Sequence, residues 1–281
     1  MQSFAKKVDH KLSLPMRHPV SETKTSPVIL SAENISVSFG GFMAVRGMNL
    51  ALRKHELHFL IGPNGAGKTT MLDVICGKTK ASSGKVLLGG EVDLTRKRDY
   101  EIASLGIGRK FQAPSVFPNL TVQENLELAA DRNRSIFHTL RLRRSDTVTP
   151  KMLGILEQIG LPGREGERAG SLSHGEKQWL EIGMLLLQKP SVLLLDEPVA
   201  GMTDDETVKT GELLKEIAKT CSVVVVEHDM EFVRSFAAKV TVMHEGQLLK
   251  EGSMAEIQHD PRVAEVYLGK RREDHAAASS H

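Results

Sequence analysis

Residues 60–77 read LIGPNGAGKTTMLDVICG: an apolar run, a loop holding three glycines and a lysine, then a helical pattern. No other stretch restricts the fold so strongly. Gly62, Gly65, Gly67, Lys68 and Thr69 fit G-x-x-x-x-G-K-[ST], in which glycines let the backbone approach a polyphosphate that the lysine and hydroxyl then reach. Pro63, Asn64, Ala66 and Thr70 fill the remaining places. Such a loop works only when a strand delivers it and a helix follows, because the free N–H groups of the first helical turn must face the anion. The spacing predicts a strand over 56–61 and a helix over 69–76 within an α/β sheet. The competing reading is a glycine-rich turn that binds nothing.

The chain has 281 residues, 40% apolar and 26% charged, an ordinary globular composition with room for one sizeable domain or two small ones. A net charge of +2 is too mild for a protein that holds nucleic acid through many phosphate contacts, so no nucleic-acid partner is expected. Cys76 and Cys221 each lie in apolar segments, which points to reduced, buried thiols and a cytosolic setting. No apolar run approaches the roughly 20 residues that span a bilayer, and the N-terminus lacks a signal-peptide apolar core. Contact with a membrane would go through a partner.

Residues 1–27 mix charge, proline and hydroxyls without period and read as a flexible arm. Residues 28–62 alternate short β-rich runs with glycine turns, as an antiparallel sheet feeding the strand before the loop would, and GKVLLGGEVDL adds a hairpin-like pair. From about residue 121 to 187 the pattern becomes helical, an inserted block that includes the arginine-rich RNRSIFHTLRLRRSD. SVLLLDEP and CSVVVVEHD follow, two continuous apolar runs suited to central parallel strands covered on both faces. The helix between them starts with Thr203 and Glu206 at capping-box spacing. A last hairpin turns at Glu245 and Gly246, short helices follow, and the tail from about Lys270 is polar.

LLLDEP ends a buried strand on Asp196 and Glu197, at the edge where open α/β sheets bind ligands. Their order suggests two duties: Asp196 helps hold Mg2+, through water, while Glu197 polarises the water that attacks a γ-phosphate. VVVVEHD places His228 just past a neighbouring strand, where an imidazole can contact the γ-phosphate and that water. A lone histidine at a strand end is usually structural, but three strand ends meeting at one phosphate favour function. SLSHGEKQWLEIGMLLL begins a helix at Ser173, with Trp179, Ile182 and Leu186 on one apolar face. Alone it reads as a capped core helix.

In this order, GPNGAGKTT, the glutamine of GRKFQAPS, LSHGEKQ, LLLDEP and VEHD resemble the ATP-binding subunits of ABC transporters, over about residues 28–268. The resemblance implies a P-loop NTPase of the α/β class: a RecA-like core, an antiparallel β subdomain and an inserted helical signature subdomain. Core and β subdomain would occupy about 28–112 and 190–252, the helical subdomain about 113–189, C-terminal helices 253–268, and a polar tail 269–281. It implies ATP hydrolysis with Mg2+, with Thr69, Gln112 and Asp196 at the metal and Glu197, His228, Lys68 and Gln112 at the reacting phosphate. Gln112 also matches the loop that links nucleotide to a membrane partner. Phe39 in ISVSFGG matches the aromatic that stacks on adenine; its other reading is the last core residue of a strand.

In that family the LSGGQ signature binds the γ-phosphate of ATP held by the opposite subunit. Ser173 and Gly175 therefore imply an ATP-sandwich dimer, a homodimer or a pair with a related ATPase. His174 and Glu176 depart from the family pattern; a carboxylate facing phosphate would repel it, so Glu176 is expected to turn toward ribose or solvent. Further implied partners are two transmembrane permease subunits, docked near APSVFPNLTV, and indirectly a periplasmic or extracellular solute-binding protein. The implied location is the cytoplasmic face of the inner (plasma) membrane. AGMT, GKTKASSGKV and PRVAEVYLG look most like importers of branched-chain amino acids and urea, with the urea importer nearest and branched-chain amino acids or short amides as the alternative. A soluble ABC ATPase of DNA repair or translation would need coiled-coil or zinc insertions, a second ABC domain or a basic face, none of which the sequence shows.

Overall fold

The computed structural model describes residues 26–110, 115–130 and 149–267. Two sheets organise it. In the antiparallel sheet, β1 (Val28–Phe39) and β2 (Phe42–Arg53) are joined through Gly40 and Gly41, and β4 (Ser83–Leu88) with β5 (Val92–Asp93) extend the order to β2-β1-β4-β5. The larger sheet contains β3 (Leu57–Ile61), β6 (Ile107–Lys110), β7 (Val192–Asp196), β8 (Ser222–Val226), β9 (Lys239–His244) and β10 (Gln247–Gly252). Its order is β10-β9-β3-β8-β7-β6, with β10 antiparallel to β9 and the other pairs parallel.

The helices are α1 (Lys68–Ile75), α2 (Asp99–Ser104), α3 (Val122–Ala130), α4 (Pro150–Gln158), α5 (His174–Leu187), α6 (Asp204–Ala218), α7 (Met230–Phe236) and α8 (Met254–Gln258), with residues 261–267 also helical. The α3–α5 block enters between β6 and β7, which are neighbours in the sheet, so it is an insertion in space as well as in sequence.

All residues of β3, β7 and β8 are buried. Because side chains alternate across a strand, each strand feeds two cores. Phe59, Leu195 and Val225 pack with Leu126, Leu180, Leu214 and Phe232 from the helices on one face. Leu60, Leu194 and Val224 pack with Ile35, Val45 and Met71 from β1, β2 and α1 on the other. At about 1.5–3 kcal/mol for each large apolar side chain buried, these runs dominate the stability of the sheet. Register then sets the site: Leu60 pairs with Val226 and Val226 with Asp196, so β3, β8 and β7 end in one row.

The strand before the loop and the helix after it each lie within a residue of the predicted bounds. Lys54 N–H donates to Pro27 O at 2.8 Å and the Arg53 guanidinium to Ser26 O at 2.9 Å, which ties Ser26 and Pro27 to the end of β2 and the residue after it. Residues 1–25, the arginine-rich piece, Gln112 and the polar tail lie outside the described residues. Both cysteines are free thiols; Cys221 is buried, which pushes its pKa up to about 12, while Cys76 is only half-buried. Among the described residues no helix is long and apolar enough to cross a membrane.

Candidate nucleotide site

The loop after β3 is wedged between two strands, and glycine is what allows it. A Cβ on Gly62, whose φ is 150°, would lie 2.2 Å from Met243 O on β9; one on Gly67, φ 96°, would lie 2.5 Å from Ala44 O on β2. Gly67 is the N-cap of α1, which has no side-chain cap and no acid in its first turn. The helix start thus carries no carboxylate of its own that would exclude an anion. Lys68 Nζ donates to the carbonyls of Gly62 at 2.8 Å and Pro63 at 3.0 Å, which holds the buried ammonium against the loop. Pro63, Asn64, Gly65 and Ala66 line a cavity of about 660 Å3 whose far wall includes His244, Glu245 and Arg262. Thr69 is exposed and Thr70 half-buried on the first turn of α1.

The row of strand ends brings Thr69, Asp196, Glu197 and His228 together. Thr69 Oγ1 donates to Asp196 Oδ1 at 3.4 Å, and Arg109 on β6 reaches Asp196 Oδ2 at 3.3 Å and Asp73 of α1 at 3.0 Å. Burial raises the Asp196 pKa, and Arg109 and Thr69 oppose that shift. Glu197 has φ 48°, a left-handed conformation uncommon for a glutamate. Its N–H donates to Val226 O at 2.9 Å, and Oε1 stands 3.5 Å from His228 Nδ1. Glu227, buried next to His228 in the chain, accepts from Val199 N–H at 3.2 Å and His228 N–H at 3.1 Å, so it ties the loop after Glu197 to the loop after β8. Burial raises its pKa, against those hydrogen bonds.

Neither Arg109 nor Glu227 stands out in the sequence as a site residue. Four preceding valines mark Glu227 as buried, while Arg109 gives no comparable signal. Behind Arg109, Lys110 is fully buried with Glu181 at 3.9 Å, and burial lowers its pKa.

At the signature helix, Ser173 is the N-cap of α5 in a capping box with Glu176: the Glu176 N–H donates to Ser173 Oγ at 3.1 Å and Ser173 N–H to Glu176 Oε2 at 2.8 Å. Glu176 Oε1 also accepts from Arg164 at 2.6 Å. The expected turn of Glu176 toward ribose or solvent is therefore corrected: it folds back onto its own helix end, where the Ser173 N–H and the Arg164 guanidinium compensate its charge. Ser173 Oγ donates to Glu206 Oε1 at 2.8 Å, and Gly175 packs against that carboxylate. Phe39 is 52% exposed at the end of β1 and pairs in register with Phe42, 65% exposed, so it is not a core residue. The same β2 strand carries Ala44 past Gly67.

These residues fit a nucleoside triphosphate with Mg2+. The uncapped α1 start and the Lys68 ammonium suit phosphate. The Thr69 hydroxyl and the Asp196 carboxylate it donates to are hard oxygen donors of the kind that would hold Mg2+, directly and through water. Among the described residues no group of three or more His, Cys, Asp or Glu could hold a metal ion.

A family model described as ABC transporter matches residues 45–200, and one described as branched-chain amino acid ATP-binding cassette transporter matches residues 251–273. The probable branched-chain amino acid transport ATP-binding protein LivG of Archaeoglobus fulgidus is 34% identical over 86% of this chain and 95% of its own length. The high-affinity LivG protein of Escherichia coli is 33% identical over 87% of this chain and 99% of its own. Among solved structures, an ATP-binding cassette of an ABC transporter in its ADP conformation superposes with a TM-score of 0.75 at 32% identity, covering 87% of this chain and all of that one (100%). A nucleotide-free cassette gives 0.74 at 32% identity over 86% of this chain and 99% of its own. The loop, the row of strand ends and these likenesses agree: the chain belongs to the ABC transporter family as an ATP-binding subunit of the branched-chain amino acid, LivG type, an ATPase that works with ATP and Mg2+.

Proposed function

We propose that this ATPase drives import of branched-chain amino acids, acting in an ATP-sandwich dimer beneath two permease subunits at the cytoplasmic face of the membrane. The relatives named above carry branched-chain amino acids in their names, which favours that substrate class. Urea, the nearest reading from the wording of the sequence, has no such support. The exposed Phe117 of APSVFPNLTV suits a permease contact. Reconstitution with the permease and binding-protein subunits should give leucine uptake that urea does not compete with; urea uptake would overturn the substrate assignment.

In the proposed site, Phe39 stacks on adenine, and residues 62–70 with Lys68 hold the phosphates. Thr69, Asp196 and Gln112 would hold Mg2+, which when bound would neutralise phosphate charge. Glu197 takes the proton of the attacking water, His228 contacts that water and the γ-phosphate, and Ser173 and Gly175 of the opposite subunit complete the cradle. The observation that carries the reading is Glu197, held at a left-handed φ with His228 beside its carboxylate. Glu197→Gln keeps the shape and removes the base, so turnover should fall about 10²- to 10⁴-fold while ATP affinity is kept or rises. Hydrolysis near the wild-type rate would contradict this, and His228 would be the next base to test.

A further inference from the structure

Glu206, at the start of α6, makes two attachments at once. Oε2 accepts from Thr203 N–H at 3.0 Å and Thr203 Oγ1 at 3.2 Å, which closes the α6 cap. Oε1 accepts from Ser173 Oγ at 2.8 Å, on a different helix. Gly175 makes room for this: a Cβ there would lie 2.6 Å from Glu206 Cδ and Oε1. Further along, the same two helices are joined by Trp179 Nε1 donating to Thr210 Oγ1 at 2.8 Å.

We propose that Glu206 is a positioning residue that holds the Ser173 hydroxyl in the lone subunit and competes for it with the γ-phosphate arriving on the opposite subunit. The proposal rests on the composite-site reading above. Ser173 Oγ already accepts from Glu176 N–H, and its single proton serves one anion at a time. Two anions at one hydroxyl repel each other, so dimer closure requires Glu206 to withdraw. Withdrawal loosens the first turn of α6, which the loop from Glu197 feeds, and thereby links engagement of the signature to that subunit's own strand end.

The test uses the Glu197→Gln chain, alone or with its ATPase partner, and measures the ATP concentration that half-assembles the dimer. Glu206→Gln retains a capping side chain of the same shape and removes the charge. It should lower that concentration about fivefold, the order expected for one charge near 4 Å in water. ATP affinity of the undimerised subunit, read with a fluorescent analogue, should not change, and the melting temperature should fall less than in Glu206→Ala, because the amide keeps one accepting oxygen for the cap. Glu206→Ala should lower both the ATP requirement and the melting temperature, since it also removes the cap. A merely structural role would raise the requirement in both variants, and an unchanged or raised value in Glu206→Gln would overturn the proposal. A Glu197→Gln parent that never dimerises would instead sink the composite-site reading, and this proposal with it.

Discussion

Two helix N-termini of this chain are built in opposite ways. α1 opens on a left-handed glycine with no side-chain cap and no acid in its first turn, and a lysine ammonium is held beside it. α5 opens on Ser173, closed by Glu176 in a capping box and covered by Glu206 from α6. The first end offers donors to an anion from outside; the second is already neutralised by the chain's own carboxylates. The difference is that no carboxylate of the first turn stands at the start of α1, whereas at α5 an incoming anion meets Glu206 already on the Ser173 hydroxyl. In the proposed dimer, nucleotide binding is thus local to one subunit, and closure onto the other is the step under control.

The strongest break of the comparison is Lys68→Ala, which removes the cation of the open end. Charge-assisted hydrogen bonds of about 1.5–3 kcal/mol each are lost, so ATP affinity measured by calorimetry should fall on the order of a hundredfold. Unchanged affinity would mean that the loop does not hold the phosphates.

The strand that delivers the open end carries a pH dependence. His58 on β3 is fully buried, its Nε2 is 2.7 Å from Thr241 Oγ1, and burial lowers its pKa to about 4 from 6.5. The folded value lies below the unfolded one, so the unfolded chain takes the proton first. The stability held by neutral His58 is complete above pH 6.5 and is lost as pH falls toward 4. The loss should reach about 2–3 kcal/mol in denaturant titrations, and His58→Gln should flatten that slope. An equal slope in both proteins would contradict the assignment.

Beside the same end, Phe39→Ala should weaken ATP binding by roughly 1–3 kcal/mol, the range for a base stacked on an aromatic ring, with little change in stability because the ring is exposed. At the closed end, Glu176→Ala should cost about 1 kcal/mol of stability through the lost capping interactions, seen as a lower melting temperature. Unchanged stability would leave Glu176 without the anchoring role its contacts indicate.

Much of the fold is legible because it rests on local chemistry. The Val and Leu runs of β7 and β8 are continuous because both faces of those strands are covered, and the glycine loop declares the strand and helix around it. The spacing that announces the cap at Thr203 and Glu206 recurs at Ser173 and Glu176, yet comparison with the family signature sends Glu176 outward; the nearer helix-end donors and Arg164 decide its direction. Long-range pairings are not written in any local pattern. Arg109 on Asp196 joins separate strands, and Ser173 on Glu206 joins separate helices. Such contacts depend on the register of the sheet and on helix packing, which no short stretch encodes.

The central claim is that one subunit's strand ends and another subunit's signature helix form the reacting site together. Gel filtration of Glu197→Gln with Mg·ATP tests it most directly. The account predicts a shift to the mass of a dimer, with itself or with its ATPase partner, that the wild type loses as ATP is consumed. Lys68→Ala should abolish the shift by removing ATP, and Ser173→Arg should abolish it while ATP binding at the loop survives. A Glu197→Gln chain that binds ATP yet stays monomeric at every concentration, or a verified wild-type monomer whose hydrolysis rate per subunit is full and unaffected by dilution, would contradict the account.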